Sequence, residues 1–144
     1  SARYGIAWGA IGAALDCYDS ALRYSKERIQ FDKPIGGFQL IQKKLAEMIT
    51  EITKAQLLTH RLGVLRNEGR ATTAQISMAK RNNVDMAINI AREARQTHGA
   101  MGNTGEYPCD SHMTKLESVI TYEGTHDIHL LITGFDITGL NAFK

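Results

Sequence analysis

From Ala7 almost to the C-terminus the apolar residues of this chain recur at steps of three and four and nowhere alternate, which confines it to packed helices. Ala7, Ile11, Ala14, Leu15, Tyr18 and Leu22 form one apolar stripe on a first long helix that ends near Arg28. Gly5, Gly9 and Gly12 at its start each cost about 1 kcal/mol of helix stability against alanine, so their expected use is to let another backbone approach closely. Pro34 and the pair Gly36 and Gly37 mark a loop. A second helix follows from about Phe38, with Ile41, Leu45, Met48, Ile52, Ala55 and Leu62 on one face, and Asn67 to Gly69 stop it. Thr72 and Thr73 are positioned to cap a third, whose stripe runs through Ile76, Ala79, Asn83, Ala87, Ile90 and Ala94 until Gly99. A glycine-punctuated turn leads past Pro108 into a shorter helix around Ser111 to Ser118, and a final helix runs from Thr125 towards Gly139. Long amphipathic helices joined by short turns predict an all-α, antiparallel up-and-down bundle of four main helices.

Composition narrows the function classes. A chain of 144 residues with 43% hydrophobic content is one domain and can bury a core without disulfides. Its net charge of +2 is small and its basic residues are spread out, which leaves no electrostatic footprint for nucleic acid. No apolar run approaches the roughly 20 residues of a membrane span, and no signal peptide opens the chain, so a soluble protein is expected. Cys17 and Cys109 lack CxxC spacing and read as buried free thiols. A helical bundle by itself names no function, so the sites must decide.

Glu123 is the residue to explain. Gly124 interrupts helical propensity and Thr125 is a good N-cap, so Glu123 lies in a constrained turn, where it can either point into a cleft or complement the positive end of the next helix. With His126 it forms E-x-x-H, half of a di-iron bundle site, and His129 adds a second histidine at helical spacing. No other glutamate has histidine three residues later, so no metal is expected, and His60, His98 and His112 need no special role. In RIQFDKP, an arginine near a helix C-terminus complements the dipole and Pro34 prevents continuation. QTHGAMGNTGEY reads on its own as a helix stop.

Four segments, ARYGIAWG, RIQFDKP, QTHGAMG and TYEGTHDIH, fall in an order and spacing that resembles the C-terminal helical domain of the acyl-CoA dehydrogenases, and HDIH, KRNN and IAREAR are most similar to the glutaryl-CoA dehydrogenase branch. The resemblance implies that the family's N-terminal helical and middle β-domains lie outside this chain. It implies flavin adenine dinucleotide (FAD) as cofactor, with Arg28 reaching across a subunit interface to the pyrophosphate, Gln30 and Phe31 on the same cofactor, and Gln39 near its adenine end. Gln96, Gly99 and Ala100 would contact the partner subunit's FAD, and Thr125 and Asp127 would approach FAD. Asp32, Ala100 and Asp127 depart from the family pattern, the first two standing where glycine is common. Glu123 would be the base that removes the proton alpha to the thioester carbonyl. Its backbone N–H would bond the thioester oxygen, Gly124 would let the substrate approach, and Tyr122 and Arg3 would contact it. A glutamate of ordinary pKa, about 4.3, is a weak base, so such a site must exclude water. The implied substrate is an acyl-CoA, glutaryl-CoA being oxidised and decarboxylated to crotonyl-CoA, with electron-transfer flavoprotein as acceptor and a homotetramer as the assembly. Location would be the cytoplasm of a bacterium or the mitochondrial matrix of a eukaryote. A short-chain acyl-CoA dehydrogenase piece and a purely oligomerising bundle are the alternatives.

Overall fold

The computed structural model describes residues 2–143. Its elements, in chain order, are α1 (Ala2–Glu27), a two-stranded hairpin of β1 (Ile29–Gln30) and β2 (Lys33–Pro34), α2 (Gln39–Asn67), α3 (Thr73–Thr97), α4 (Cys109–Val119) and α5 (His126–Thr138). Single 3-10 turns at Ile35–Gly37 and Gly99–Asn103 complete it. The all-α bundle is as expected, with the fourth position shared by the two short helices α4 and α5. The exception is the hairpin, too short to show any alternation.

The helix boundaries follow from local chemistry. Thr72 opens α3 with a capping box, its hydroxyl accepting from the Gln75 N–H while the Gln75 side chain accepts from the Thr72 N–H. The Thr125 hydroxyl caps α5 by accepting from the Ile128 N–H, and Gly139, at φ 72°, ends it in the left-handed conformation glycine favours.

Helix α3 is the axis of the domain. It packs against α1, α2, α4 and α5, with Val84, Met86, Ala87, Ile88, Ile90, Ala91 and Ala94 all in the core, and leaves only the stripe through Gln75, Asn82, Asp85, Asn89 and Gln96 in solvent. Against it α1 presents Ala7, Ala10, Ile11, Ala14, Cys17 and Ala21, small residues that bring the two axes close. Asn83 crosses this interior: its side-chain amide donates to the Ala7 carbonyl of α1 (3.1 Å) and the Thr59 hydroxyl of α2 (2.7 Å). One fully buried side chain so ties three helices, because an unpaired amide there would be costly. Cys17 and Cys109 are free and fully buried. Donating its S–H to the neighbouring Cys109, together with burial, pushes the Cys17 thiol far above its usual range.

Two expectations need correction. Leu15 faces outward, about a third exposed, because the buried face of α1 turns through Cys17 and Ala21 instead. Gly5, Gly9 and Gly12 face outward too, and a β-carbon on any of them would meet nothing within 4 Å, so among the described residues no backbone approaches them. Among the described residues no helix is long and apolar enough to cross a membrane.

Candidate active site

The turn between α4 and α5 carries Glu123, and its backbone is unusual at two successive residues. Glu123 has φ 57° and Gly124 has φ 95°. A left-handed non-glycine residue costs about 1–2 kcal/mol, and such strain gathers where function over-determines the backbone. The turn is closed by the Thr121 and Tyr122 N–H groups donating to the Ser118 carbonyl and by the His126 N–H donating to the Ile120 carbonyl. The Glu123 N–H, by contrast, meets no backbone acceptor among the described residues.

What lies beneath the turn explains why it holds. A β-carbon on Gly124 would sit 2.8 Å from the His129 ring and 3.3 Å from the Arg3 guanidinium. His129 is fully buried, and burial lowers its pKa, with the charges of Lys80 and Arg3 acting in the same direction. Both its ring nitrogens lack a hydrogen-bond partner. Lys80, also fully buried, donates from Nζ to the carbonyls of Val119 (2.7 Å) and Gly124 (2.9 Å). Burial lowers the Lys80 pKa, Arg3 adds to this, and Glu123 opposes it. Sequence reasoning missed Lys80; the available signal was its place on the same α3 stripe as Ile76 and Asn83.

Beside the turn an apolar groove of about 480 Å³ runs between α1 and α4, with Ile6, Ala10, Leu116 and Val119 in its lining and Gly5 and Tyr122 at its edge. Gly5 and Gly9 of α1 line this groove. Glu123 and Tyr122 are exposed, and Arg3 is half-buried at the turn. The structure so brings Arg3, Tyr122, Glu123 and Gly124 together. The helical E-x-x-H spacing does not exist, since Glu123 precedes α5 and His129 is covered by Gly124. Among the described residues no group of three or more histidine, cysteine or carboxylate side chains gathers to hold a metal.

The second constellation sits at the other end of α1. The Phe31 and Asp32 pair joins β1 to β2 with φ 52° and 63°, a type I′ turn built without its usual asparagine and glycine. Asp32 holds φ 63°, a conformation glycine takes without steric penalty, which accounts for the glycine of the resembled pattern but not for the aspartate here. The turn thrusts the Phe31 ring into solvent, 86% exposed, with Phe38 edge-on at 6.0 Å. Arg28, Gln30, Gly99 and Ala100 line one concavity of about 400 Å³, floored by Tyr24 and His98. Gln30, Phe31 and Gln39 line a shallower one of about 840 Å³ beside it. Ala100 does not have positive φ, so the side chain replacing a glycine there is unstrained. Gln96 is not brought into either; its amide oxygen accepts from Lys44 Nζ at 3.4 Å. An exposed arginine, an aromatic face, amide side chains and a glycine-flanked 3-10 turn suit a dinucleotide's pyrophosphate and ring.

Thr125 and Asp127 lie at the Glu123 end. Asp127 is exposed in the first turn of α5, where it also complements the helix dipole. Arg3 and Arg28 are separated by almost the whole of α1, on the order of 38 Å at 1.5 Å per residue. The two constellations therefore lie at opposite ends of α1.

Residues 1–136 match the family described as "Acyl-CoA dehydrogenase, C-terminal domain". The chain is similar to the crystal structure of glutaryl-CoA dehydrogenase from Mycobacterium smegmatis, with 53% identity and a TM-score of 0.98 over 99% of this chain and 37% of that one. A second structure of a glutaryl-CoA dehydrogenase from that organism, in complex with FADH2, aligns at 46% identity and a TM-score of 0.97 over the same shares. Among curated proteins, the short-chain specific acyl-CoA dehydrogenase of Megasphaera elsdenii is 38% identical over 132 residues, 92% of this chain and 34% of that protein. The chain thus spans about a third of the length of the relatives it matches. It belongs to the acyl-CoA dehydrogenase family, matching its C-terminal domain.

Proposed function

We propose that the chain is the FAD-contacting, base-bearing domain of an acyl-CoA dehydrogenase that oxidises glutaryl-CoA, with Glu123 as the base. The observation that carries this reading is the strained turn: Glu123, with a left-handed backbone and an N–H that meets no backbone acceptor among the described residues, directly follows Tyr122, which lines an apolar groove. A base beside an oxyanion donor is what removal of a proton alpha to a carbonyl demands. The Glu123 carboxylate takes the alpha proton, its N–H bonds the thioester oxygen as charge develops there, and Ile6, Ala10 and Tyr122 keep water from the acyl chain. Arg3 orders the turn from the α1 side.

FAD, when bound, supplies the acceptor for the hydride that leaves the beta carbon. Arg28, Gln30, Phe31 and Gln39, with the Gly99 and Ala100 backbone, would hold a copy of it belonging to a neighbouring subunit, while Thr125 and Asp127 approach the chain's own. The length of α1 supports this division between subunits, and the assembly proposed is a homotetramer that passes electrons to electron-transfer flavoprotein. Preference for glutaryl-CoA over a short unbranched acyl-CoA rests on the 53% and 46% identity to the two Mycobacterium smegmatis glutaryl-CoA dehydrogenase structures; among curated relatives the short-chain enzyme of Megasphaera elsdenii, at 38%, stands above the glutaryl-CoA dehydrogenase of Desulfococcus multivorans, at 33%.

Glu123→Gln in the full-length, FAD-loaded enzyme tests the role of the base. It is expected to abolish exchange of the alpha protons with deuterated solvent while the flavin absorbance is retained. Exchange at the wild-type rate would remove Glu123 from the reaction.

A further inference from the structure

Lys80 is the most deeply buried charged side chain near the site, and the reading of Glu123 as base leaves it without a task. Withdrawing an ammonium from water is expensive unless its protons are bonded, and a buried charge is weak support for stability as such. Here the partners are specific. Val119 and Gly124, whose carbonyls receive the two bonds, bracket the segment that contains Glu123. Gly124 is also hemmed in by His129 and Arg3, so the peptide that follows Glu123 is held from below and from the side. Without the ammonium the Val119 and Gly124 carbonyls would lose a common partner, and the turn would lose one of the contacts that hold Glu123 at φ 57° against the right-handed region. A compact ammonium on a long stem is suited to bridging two converging carbonyls.

We propose that Lys80 is a positioning residue for the proposed reaction, clamping the Val119 and Gly124 carbonyls so that the Glu123 carboxylate and N–H are aimed at the substrate before it arrives. The proposal rests on Glu123 being the base. A misplacement of about 1 Å at a reacting group lowers rate on the order of 10²-fold, which sets the effect to look for.

The experiment compares Lys80→Met, Lys80→Arg and Glu123→Gln in the full-length, FAD-loaded enzyme. Three quantities are read: flavin occupancy from its absorbance, dissociation constant for a substrate analogue, and rate of alpha-proton exchange. Lys80→Met is expected to keep flavin and analogue affinity within threefold while exchange falls about 10²-fold. Lys80→Arg, which keeps the charge and the donors, is expected to recover part of that loss. Exchange within threefold of wild type in Lys80→Met overturns the proposal, as does a parallel fall of all three quantities, which is what a merely structural lysine would give. Lys80→Arg no faster than Lys80→Met overturns it also. Should Lys80→Met yield no flavin-loaded protein, Lys80→Gln takes its place under the same criteria. Unchanged exchange in Glu123→Gln would defeat the reading of the base itself, whereas lost exchange there with normal exchange in Lys80→Met would defeat only the clamp.

Discussion

Replacing Gly124 with alanine tests the packing under the turn with a single methyl group. The added carbon would lie 2.8 Å from Cε1 and Nε2 of His129 and 3.3 Å from the Arg3 guanidinium, and the fully buried imidazole has no room to retreat. Holding an alanine at φ 95° costs about 1–3 kcal/mol, and overpacking a buried site costs a further 1–3 kcal/mol or so. The expected destabilisation is therefore about 2–6 kcal/mol, a large part of the roughly 5–15 kcal/mol typical of a domain. Urea denaturation followed by circular dichroism measures it, with His129→Ala and the double variant completing a cycle. His129→Ala opens space for the methyl group but leaves the dihedral strain. The double variant should consequently be less destabilised than the sum of the singles by about 1–3 kcal/mol. Additivity within about 0.5 kcal/mol would show that the methyl group never meets the ring, and the account of the turn would fail.

Asp32→Gly should stabilise the chain by up to about 1 kcal/mol in the same denaturation assay, since glycine takes φ 63° without a side-chain clash; a loss of stability would refute the type I′ assignment. A pH dependence follows from His129, whose folded-state pKa lies below its ordinary value because it is buried and faces Lys80 and Arg3. Between that lowered value and about 6.5 the unfolded chain binds the extra proton, so stability falls on acidification through this window, with a slope of at most about 1.4 kcal/mol per pH unit. Denaturation midpoints from pH 7 to 5 should show the slope, and His129→Leu should flatten it; an equal slope in the variant would assign the effect elsewhere.

The sequence made the scaffold legible where one principle acted alone. Thr72, Thr125 and Gly139 sit at helix ends for purely local reasons, and they are where the caps are found. Glu123 was legible as a strained turn residue because Gly124 and Thr125 leave little other choice. Periodicity misplaced Leu15, since the exposed flank of α1, with Trp8 and Leu15, is apolar too. The hairpin was hidden because Phe31 and Asp32 carry no turn signal; their left-handed backbone is imposed by the short pairing of Ile29 with Pro34 and Gln30 with Lys33. Lys80 was read past because lysine is almost never fully buried, and only the three-dimensional convergence of the Val119 and Gly124 carbonyls gives it a reason to be.

The placement of Arg3 and Arg28 at opposite ends of α1 has a genetic corollary. If each flavin is gripped by one polypeptide and served by the base of another, a damaged Arg28 and a damaged Glu123 are lesions in different half-sites. Two alleles, each inactive when expressed alone, would then complement when co-expressed, because one of the two composite sites in a mixed pair inherits both intact residues.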